Sequence, residues 1–392
     1  MGPPPRNVLI QDVTLREGQQ AAEIAFTMDE KVELAGRLAE AGVRRLQAGY
    51  AGADDETIAA LKRALPGLEL SALLVAFRPG WQAAAESAAT AGADVLMVLF
   101  RVAPGQLRAI GYSEEQALDT IGRAVEHSLR VAPWASLDPS FVTLADERFL
   151  RAVYRAGAQA GARHFGVADS TGVASPERIA TLVGLVRETT GGEVGVHCHD
   201  DFGLALGNTL AGIGAGATLA DASLLGLGER AGNCATEELA VALELLYGAG
   251  TGIDLEQLTP LAEHVSQVTG FPISTSKAIV GGDAFSQKLD MHVALTRSDP
   301  TLLEPFPPER VGNRRRLRLG LGTGPVAVAA KLEQLGLSAV EPGRAQELAD
   351  EINEIARRRK AGVRDHEFAA LVQAQSSTVR LTASTTRSTE GK

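Results

Sequence analysis

Between residues 7 and 248 the chain alternates between two hydrophobic patterns. Short runs rich in Leu, Val and Ile are each followed by a longer segment with apolar residues every three to four positions, and then by glycine. The short runs predict buried strands, and the longer segments predict amphipathic helices. Eight strands are predicted, at residues 7–10, 44–50, 68–75, 93–100, 133–141, 164–169, 193–199 and 219–226.

Helix-capping signals separate the predicted strands. The sequences TMDE at Thr27 and SEEQ at Ser113 match capping boxes, and Pro176 stands at the first position of another predicted helix. Repeated AGA and AGV signals end helices with glycine just before the next strand. Alternating strands, helices and tight turns form parallel βαβ units. Eight such units predict an α/β fold, a (β/α)8 TIM barrel, rather than a doubly wound sheet.

The regular alternation ends before the last third of the chain. We expect a TIM-barrel catalytic domain over residues 1–250 and a smaller, mostly helical C-terminal domain over residues 251–375. Residues 376–392 are rich in Ser and Thr and poor in apolar side chains, which predicts a disordered tail. In the C-terminal domain, helical patterns occur at residues 255–269 and 344–360, and a segment rich in Pro and Arg lies between them.

The composition narrows the classes of partner. Lys and Arg number 38, Asp and Glu number 48, and the net charge is −10, with no basic stripe, so we do not expect nucleic acid as a partner. No apolar segment reaches the ~18 residues of a membrane span and no signal peptide is evident, so we expect a cytoplasmic protein without a membrane partner. Cys198 and Cys234 are the only cysteines, and we expect free thiols.

Four polar clusters follow predicted strands one, six, seven and eight. In a parallel barrel, catalytic side chains lie at the carboxyl ends of strands and in the loops that follow. Strands one, seven and eight are neighbours once the barrel closes, so we expect their clusters to meet at one rim. The clusters are residues 11–20, 169–172, 197–201 and 226–233.

His197 and His199 stand at the end of predicted strand seven. Alternate residues of a strand point to the same face, so the two imidazoles are expected to project together while Cys198 faces the helices. With a carboxylate from strand one, either Asp12 or Glu17, they would form a site for a divalent ion such as Zn, Mn, Fe, Co or Mg. The competing interpretation is a buried strand that ends in His-x-His without binding metal.

Structural interpretations also stay open for three neighbouring features. The GERAGN segment could be only a tight turn with a solvated ion pair. Asp169 could cap the helix that begins near Pro176, and Cys234 could be a packed side chain.

Four motifs together resemble one enzyme family. The segments DVTLREGQQ, HCHDDFGLALGNT, GLGERAGN and KAIVGGDAF followed by MH occur in this order and spacing. They resemble the acyl-CoA-condensing branch of the DRE-TIM metallolyases, which includes homocitrate and isopropylmalate synthases. The resemblance covers roughly residues 8–328. It implies a Claisen-type condensation of acetyl-CoA, as co-substrate, with a 2-oxo acid, followed by thioester hydrolysis that releases CoA.

The resemblance also implies a metal site. Glu17, His197 and His199 match the metal ligands of the family, and Asn233 is close enough in the motif to join them. Arg16 would neutralise the ketone oxygen as it becomes an alkoxide.

Further roles follow from the same resemblance. Gln20 and Ser170 match substrate-contacting positions, and Asp12 becomes a barrel-mouth residue that orients the substrate-binding site. His292 matches a histidine of the C-terminal segment that reaches the partner subunit's active site in a homodimer and helps to enolise acetyl-CoA.

The chain departs from the family pattern around the expected substrate pocket. After strand five, Leu137 stands in the position of the family's Glu, and the remaining Asp138 is our hypothesis for the general base. Gln47 replaces another Glu at the end of strand two. Arg101 and Arg108 favour an anionic 2-oxo acid, with 2-oxoglutarate first and oxaloacetate or phosphonopyruvate as alternatives.

Two other functions compete with condensation. One is carbon–carbon cleavage, as in hydroxymethylglutaryl-CoA lyase, but those lyases carry a Gly-rich, Cys-containing loop where this chain has GLGERAGN and an appended domain with His292. The other is a non-catalytic descendant, against which the complete ligand set argues.

Overall fold

The computed structural model describes residues 5–374. The chain forms two compact units, Met1–Ile273 and Ser274–Lys392. The predicted disordered tail, residues 376–392, lies outside the described residues. No helix in the described part of the chain is long and apolar enough to cross a membrane.

The first unit contains a closed barrel of eight parallel strands in sequence order. The predicted (β/α)8 barrel is therefore confirmed. The first strand begins two residues later than predicted, so Asp12 ends it rather than following it. The strands are β1 Leu9–Asp12, β2 Arg45–Tyr50, β3 Glu69–Val75, β4 Val95–Arg101, β5 Trp134–Ser140, β6 His164–Asp169, β7 Glu193–Cys198 and β8 Leu219–Ala222.

Helices cover the outside of the barrel, and their starts follow the capping signals. Capping boxes form at Thr27 and Ser113, and Pro176 occupies the first turn of its helix. Gly216, in one AGA turn, has a φ of +107°, a conformation that glycine adopts without strain. The helices are α1 Met28–Glu40, α2 Asp55–Ala64, α3 Trp81–Ala91, α4 Pro104–Ile110, α5 Glu114–Val131, α6 Glu147–Gln159, α7 Pro176–Thr190, α8 Ala205–Gly214, α9 Thr236–Leu246 and α10 Leu258–Thr269.

The boundary between the units lies after Ile273, whereas the sequence analysis places it after residue 250. The difference is due to α10, which packs against α1 of the barrel. Leu258, Leu261 and Val265 are buried on this helix, so its apolar face belongs to the core of the first unit.

The second unit is mostly helical, as predicted. It contains α11 Asp290–Ser298, α12 Pro325–Gln334 and α13 Pro342–Arg359, with a further helical segment at residues 365–374. Two short parallel strands accompany them, β9 Ser286–Gln287 and β10 Arg316–Leu317. Its core includes Val328, Leu332, Leu348, Ile352 and Phe368.

Helix α8 lies directly on β7, the strand that carries the paired histidines. A Cβ atom added to Gly212 would lie 2.7 Å from Val196 Cγ1 and 3.2 Å from Ile179 Cγ2. Both neighbours are buried, and β-branched side chains have few alternative rotamers. Glycine at position 212 therefore permits the close packing that supports this strand.

We predict that Gly212→Ala destabilises the fold by about 1–3 kcal/mol, because the methyl group overpacks this contact. The usual effect in a helix interior is the opposite, a gain of up to about 1 kcal/mol. Gly184→Ala in α7 is the matched control, since nothing lies within 4 Å of a Cβ there. Denaturant unfolding of both variants tests the prediction, and an equal gain for the two would contradict it.

Candidate metal centre and active site

A cavity of about 820 Å³ opens at the carboxyl ends of the barrel strands. Arg16 and Glu17 from the loop after β1 line it, together with His197 and His199. The loops after β6 and β8 contribute Ser170 and the residues around Arg230. The structure thus brings the predicted polar clusters together at one rim.

The two histidines project into this cavity side by side. Their Nε2 atoms are 3.3 Å apart. His199 follows the end of β7 and is held by a β-bridge to Asn233. Cys198 points the other way, where its thiol contacts Thr209 of α8 and burial raises its pKa to about 12. Cys198 therefore lies outside the ligand cluster and stays a protonated thiol.

Glu17 completes the cluster. Its Oε1 lies 3.8 Å from His199 Nε2, and one ligand atom from each of Glu17, His197 and His199 lies within 4.8 Å of the others. Burial would raise the pKa of Glu17, but the Arg16 guanidinium and the two imidazoles outweigh it and hold that pKa below its usual value. The carboxylate is therefore ionised and available to a cation.

Several buried polar atoms of the site have no hydrogen-bond partner among the described residues. They are Glu17 Oε1, His199 Nδ1 and Asn233 Oδ1. Buried polar atoms are rarely left unpaired. The carboxylate and amide oxygens, together with the two Nε2 atoms, form a mixed O/N donor set typical of divalent transition metals. The donor set fits a metal ion.

The imidazole of His199 is in the protonation state that a metal requires. Burial, reinforced by the neighbouring His197, lowers the pKa of His199 to about 4, so this ring is neutral at neutral pH. Neutral imidazole nitrogen is the form that coordinates metal.

Asp221 on β8 was missed by the sequence analysis. Its Oδ2 lies 3.0 Å from His197 Nδ1, and its Oδ1 accepts a hydrogen bond of 2.8 Å from Gln11 Nε2. A carboxylate on the far nitrogen of a metal-binding histidine fixes the orientation of the ring. The signal was present, since Asp221 is the only charged residue of its predicted strand.

Asp12 is not part of the ligand cluster. It is fully buried, and its carboxylate accepts hydrogen bonds from the backbone N–H (2.9 Å) and hydroxyl (3.0 Å) of Thr14. Burial raises its pKa to about 7, and its other neighbours are Thr236 and Glu237 at the start of α9. Asp12 does not line the cavity. We therefore replace its expected orienting role at the substrate-binding site with a structural role beneath the β1 loop.

Arg16 lies beside Glu17 and contacts it directly. Its Nε donates to the amide oxygen of Gln47, and its guanidinium carbon is 5.8 Å from the centre of the Tyr50 ring. Gln20 Nε2 donates to the Tyr50 hydroxyl over 3.2 Å. Gln47 therefore orients Arg16 without adding a second negative charge, and Gln20 lies on the same wall of the cavity.

The alternation of side chains along β5 shows what the substitution of Leu137 for the family's Glu means for the site. Leu137 points out of the barrel, where its Cδ2 occupies the space beside Gly157 of α6. Asp138 points inward and lines the cavity. A carboxylate at position 137 would face the helices, so Asp138 is the carboxylate of this strand that faces the site. Burial raises its pKa to about 7, and the Ser136 hydroxyl, which donates to it, opposes that rise.

The loops after β6 and β8 are tied together by Arg230. Its guanidinium donates to Asp201 (2.7 and 3.0 Å) and to the backbone carbonyl of Ser170 (2.9 Å). The Ser170 hydroxyl accepts a hydrogen bond from Phe141 N. Asp169 accepts hydrogen bonds from the backbone N–H groups of Val173 and Ala174. The cap of α7 is Ser175, so the interpretation that Asp169 caps this helix is wrong. The GERAGN segment is therefore a brace of the rim rather than only a turn.

Two predicted residues complete the set. Asn233 is buried, and its Nδ2 donates to Leu227 O over 3.2 Å while its Oδ1 stays without a partner among the described residues. His292 lies on α11 of the second unit. Its role toward acetyl-CoA in a homodimer stays a prediction.

The fold has solved counterparts. Hydroxymethylglutaryl-CoA lyase from Pseudomonas aeruginosa superposes with a TM-score of 0.60 and 23% sequence identity, over 69% of this chain and 95% of that one. At this identity the likeness shows the shared barrel fold alone.

Sequence comparison identifies closer relatives. The chain is 36% identical to homocitrate synthase AksA of Methanopyrus kandleri, over 89% of this chain and 86% of that protein. It is 34% identical to homocitrate synthase 1 of Nostoc sp., over 94% and 97% of the two chains. It is 31% identical to 2-isopropylmalate synthase of Sulfolobus acidocaldarius, over 90% and 91%.

The family assignment rests on both comparisons. The HMGL-like family model matches residues 7–265, which include the whole barrel and every residue of the ligand cluster. The relatives named above are synthases, in agreement with the resemblance to the acyl-CoA-condensing branch and with the predicted type of enzyme. The chain therefore belongs to the HMGL-like family.

Proposed function

We propose that this chain is a metal-dependent acyltransferase that condenses acetyl-CoA with a 2-oxo acid and releases CoA by hydrolysis. The product is a hydroxy acid of the homocitrate type, with 2-oxoglutarate as the first choice of acceptor and oxaloacetate or phosphonopyruvate as alternatives. The observation that carries the proposal is the cluster of Glu17, His197 and His199 with Arg16 beside it.

The ligand cluster suits the first requirement of this reaction, a polarised ketone. A divalent ion bound by Glu17, His197 and His199, with Asn233 available as a further oxygen donor, would act as a Lewis acid on the oxo acid. The side chains around it hold these donors in place. Asp221 orients His197, and the β-bridge to Asn233 fixes the backbone of His199.

Arg16 suits the second requirement, stabilisation of negative charge on the ketone oxygen as the new carbon–carbon bond forms. Its guanidinium is buried, and its direction is set by Glu17 and Gln47. A fixed cation at a buried site needs little reorganisation during the reaction. The neutral amide of Gln47 leaves more of its positive charge for the substrate than a second carboxylate would.

Asp138 suits the third requirement, a base that removes a proton from the methyl group of acetyl-CoA. It faces the cavity, and its pKa of about 7 matches the operating range of a general base. The hydroxyl of Ser136 holds the carboxylate in one orientation. His292 is the competing candidate, because the family resemblance implies a homodimer in which this residue reaches the active site of the partner subunit.

The proposed activity predicts metal-dependent release of free thiol when the protein is given acetyl-CoA and a panel of 2-oxo acids. Glu17→Gln should abolish both turnover and tight metal binding, because it removes the charged ligand. Glu23→Gln, an exposed glutamate in the same loop, is the matched control and should behave as wild type. Thiol release is followed in a colorimetric assay and metal binding by calorimetry. Absence of thiol release with every oxo acid, while the metal binds, would refute the synthase proposal.

The base assignment predicts a pH dependence. Asp138 is active when it has lost its proton, so kcat/KM should rise as pH increases through about 7. Asp138→Asn should lose this limb and about 10²–10⁴-fold in rate. Ser136→Ala removes the hydrogen bond that lowers the pKa of Asp138, so the limb should move to higher pH. Full turnover of Asp138→Asn would remove the assignment and favour His292.

The orienting role of Asp221 predicts weaker metal binding without loss of fold. Asp221→Asn should reduce metal affinity by about 10–100-fold, as expected when the carboxylate that orients a ligand histidine is removed. Glu193→Gln is the control, because this residue begins the same strand as His197 but pairs with His164. Titration of the metal-free proteins measures the effect. Unchanged affinity in Asp221→Asn would exclude the orienting role.

A further inference from the structure

We propose that Arg101 binds a second anionic group, a carboxylate or phosphonate, at the distal end of the 2-oxo acid. The inference rests on the proposed function and deepens it, since it names the residue that selects the class of acceptor. It separates Arg101 from Arg108, which the sequence pattern treats alike.

The guanidinium groups of the cavity are unequally paired. Arg16 pairs with Glu17, and Arg230 pairs with Asp201 and Glu229. Arg101 lines the same cavity, and it has no ion pair with any carboxylate of the described residues. Its charge is therefore the uncompensated cation on the inner part of the wall. The donors of this guanidinium that make no contact with the protein are therefore available to an anionic ligand.

Neutral neighbours hold Arg101 in one place. It ends β4, and its guanidinium carbon lies 5.1 Å from the centre of the Phe77 ring. Its Nη1 donates to Gln106 Oε1 over 3.2 Å. Phe77 in turn packs edge-on against the buried Phe100, with centroids 5.9 Å apart. Arginine stacked on an aromatic ring keeps donors free for a bidentate contact with carboxylate or phosphonate.

The position of β4 indicates which part of a substrate would reach Arg101. In the closed barrel, β4 is three strands from β1 on one side and three from β7 on the other. Arg101 therefore stands on the wall opposite the ligand cluster. Apolar side chains of Leu73 on β3 and of Met97 and Leu99 on β4 line the cavity on the same side as Arg101. This arrangement suits an oxo acid with its reactive end at the cluster, a short methylene chain, and an anion at the far end.

Two other arginines provide the comparison. Arg78 lines the cavity but is exposed in the turn before α3, a place open to the phosphates of CoA. Arg108 is exposed on α4 and is absent from the cavity lining. Arg108 is thus a matched control, since it is a neighbouring arginine of the same charge outside the site.

The test compares oxo acids that differ only at the distal end. The pairs are 2-oxoglutarate with 2-oxopentanoate and oxaloacetate with 2-oxobutanoate, with phosphonopyruvate as a separate arm to distinguish phosphonate from carboxylate. Wild type should prefer the dianionic members. Arg101→Gln should lower kcat/KM for the preferred dianion by about 10–100-fold, as expected for loss of a hydrogen-bonded charge pair. It should leave the neutral-tailed acids and the KM for acetyl-CoA unchanged, while Arg101→Lys recovers part of the loss.

A binding measurement separates this inference from the proposed function. Calorimetry of the metal-loaded protein with the same oxo acids needs no turnover, and thermal unfolding verifies that Arg101→Gln is folded. Weaker binding of the dianion alone in Arg101→Gln, with Arg108→Gln as wild type, supports the inference even if no thiol is released. A preference of wild type for neutral-tailed acids would overturn it, and so would a rise in the KM for acetyl-CoA instead of the oxo acid.

Discussion

The site depends on the two-residue repeat of β7. His197 on β7 and His199 just after its end both face the cavity, and Cys198 between them is turned toward α8, so the two Nε2 atoms lie 3.3 Å apart. β8 lies beside β7, and closure of the barrel places β1 on the other side of β8. β8 supplies Asp221 to orient one imidazole, and the loop after β1 supplies Glu17. In an open sheet that kept β1 and β8 apart, Glu17 could not reach the two histidines.

This geometry also sets the electrostatics of the cavity. Glu17 is balanced by Arg16, and the neutral imidazole of His199 presents a donor atom rather than a charge to the cavity. Arg230 is neutralised in the rim by acidic partners. The two anionic groups of a dianionic acceptor would therefore have separate binding sites, one at the ligand cluster and one at Arg101. The distance between the ligand cluster and Arg101, rather than the total charge of the cavity, would decide which acceptor fits.

The sequence predicted the barrel and the paired histidines because both follow from short-range repeats, whereas the choice of Glu17 over Asp12 came from the resemblance to the enzyme family. Eight apolar runs, capping boxes and the His-x-His pair are visible without tertiary information. Asp221 was missed because its role depends on pairing between β7 and β8, which a single strand does not reveal. The orientations of Asp12 and Leu137 depend on the register of their strands. A shift of one residue along a strand moves a side chain from the inside of the barrel to the helix-covered outside. The acidic partner of each arginine, or the lack of one among the described residues, likewise became visible only in the folded loops.

The same division explains why the type of reaction is easier to infer than the acceptor. Backbone alternation and barrel closure position the ligand cluster, so short motifs are enough to identify it. The acceptor wall is formed by single side chains on β3, β4 and β5, where one substitution changes charge without disturbing a strand. Relatives at 36% and 31% identity are named for different products, homocitrate and isopropylmalate. Overall similarity therefore leaves the acceptor open, and the chemistry of the wall, with Arg101 at its far end, has to decide it.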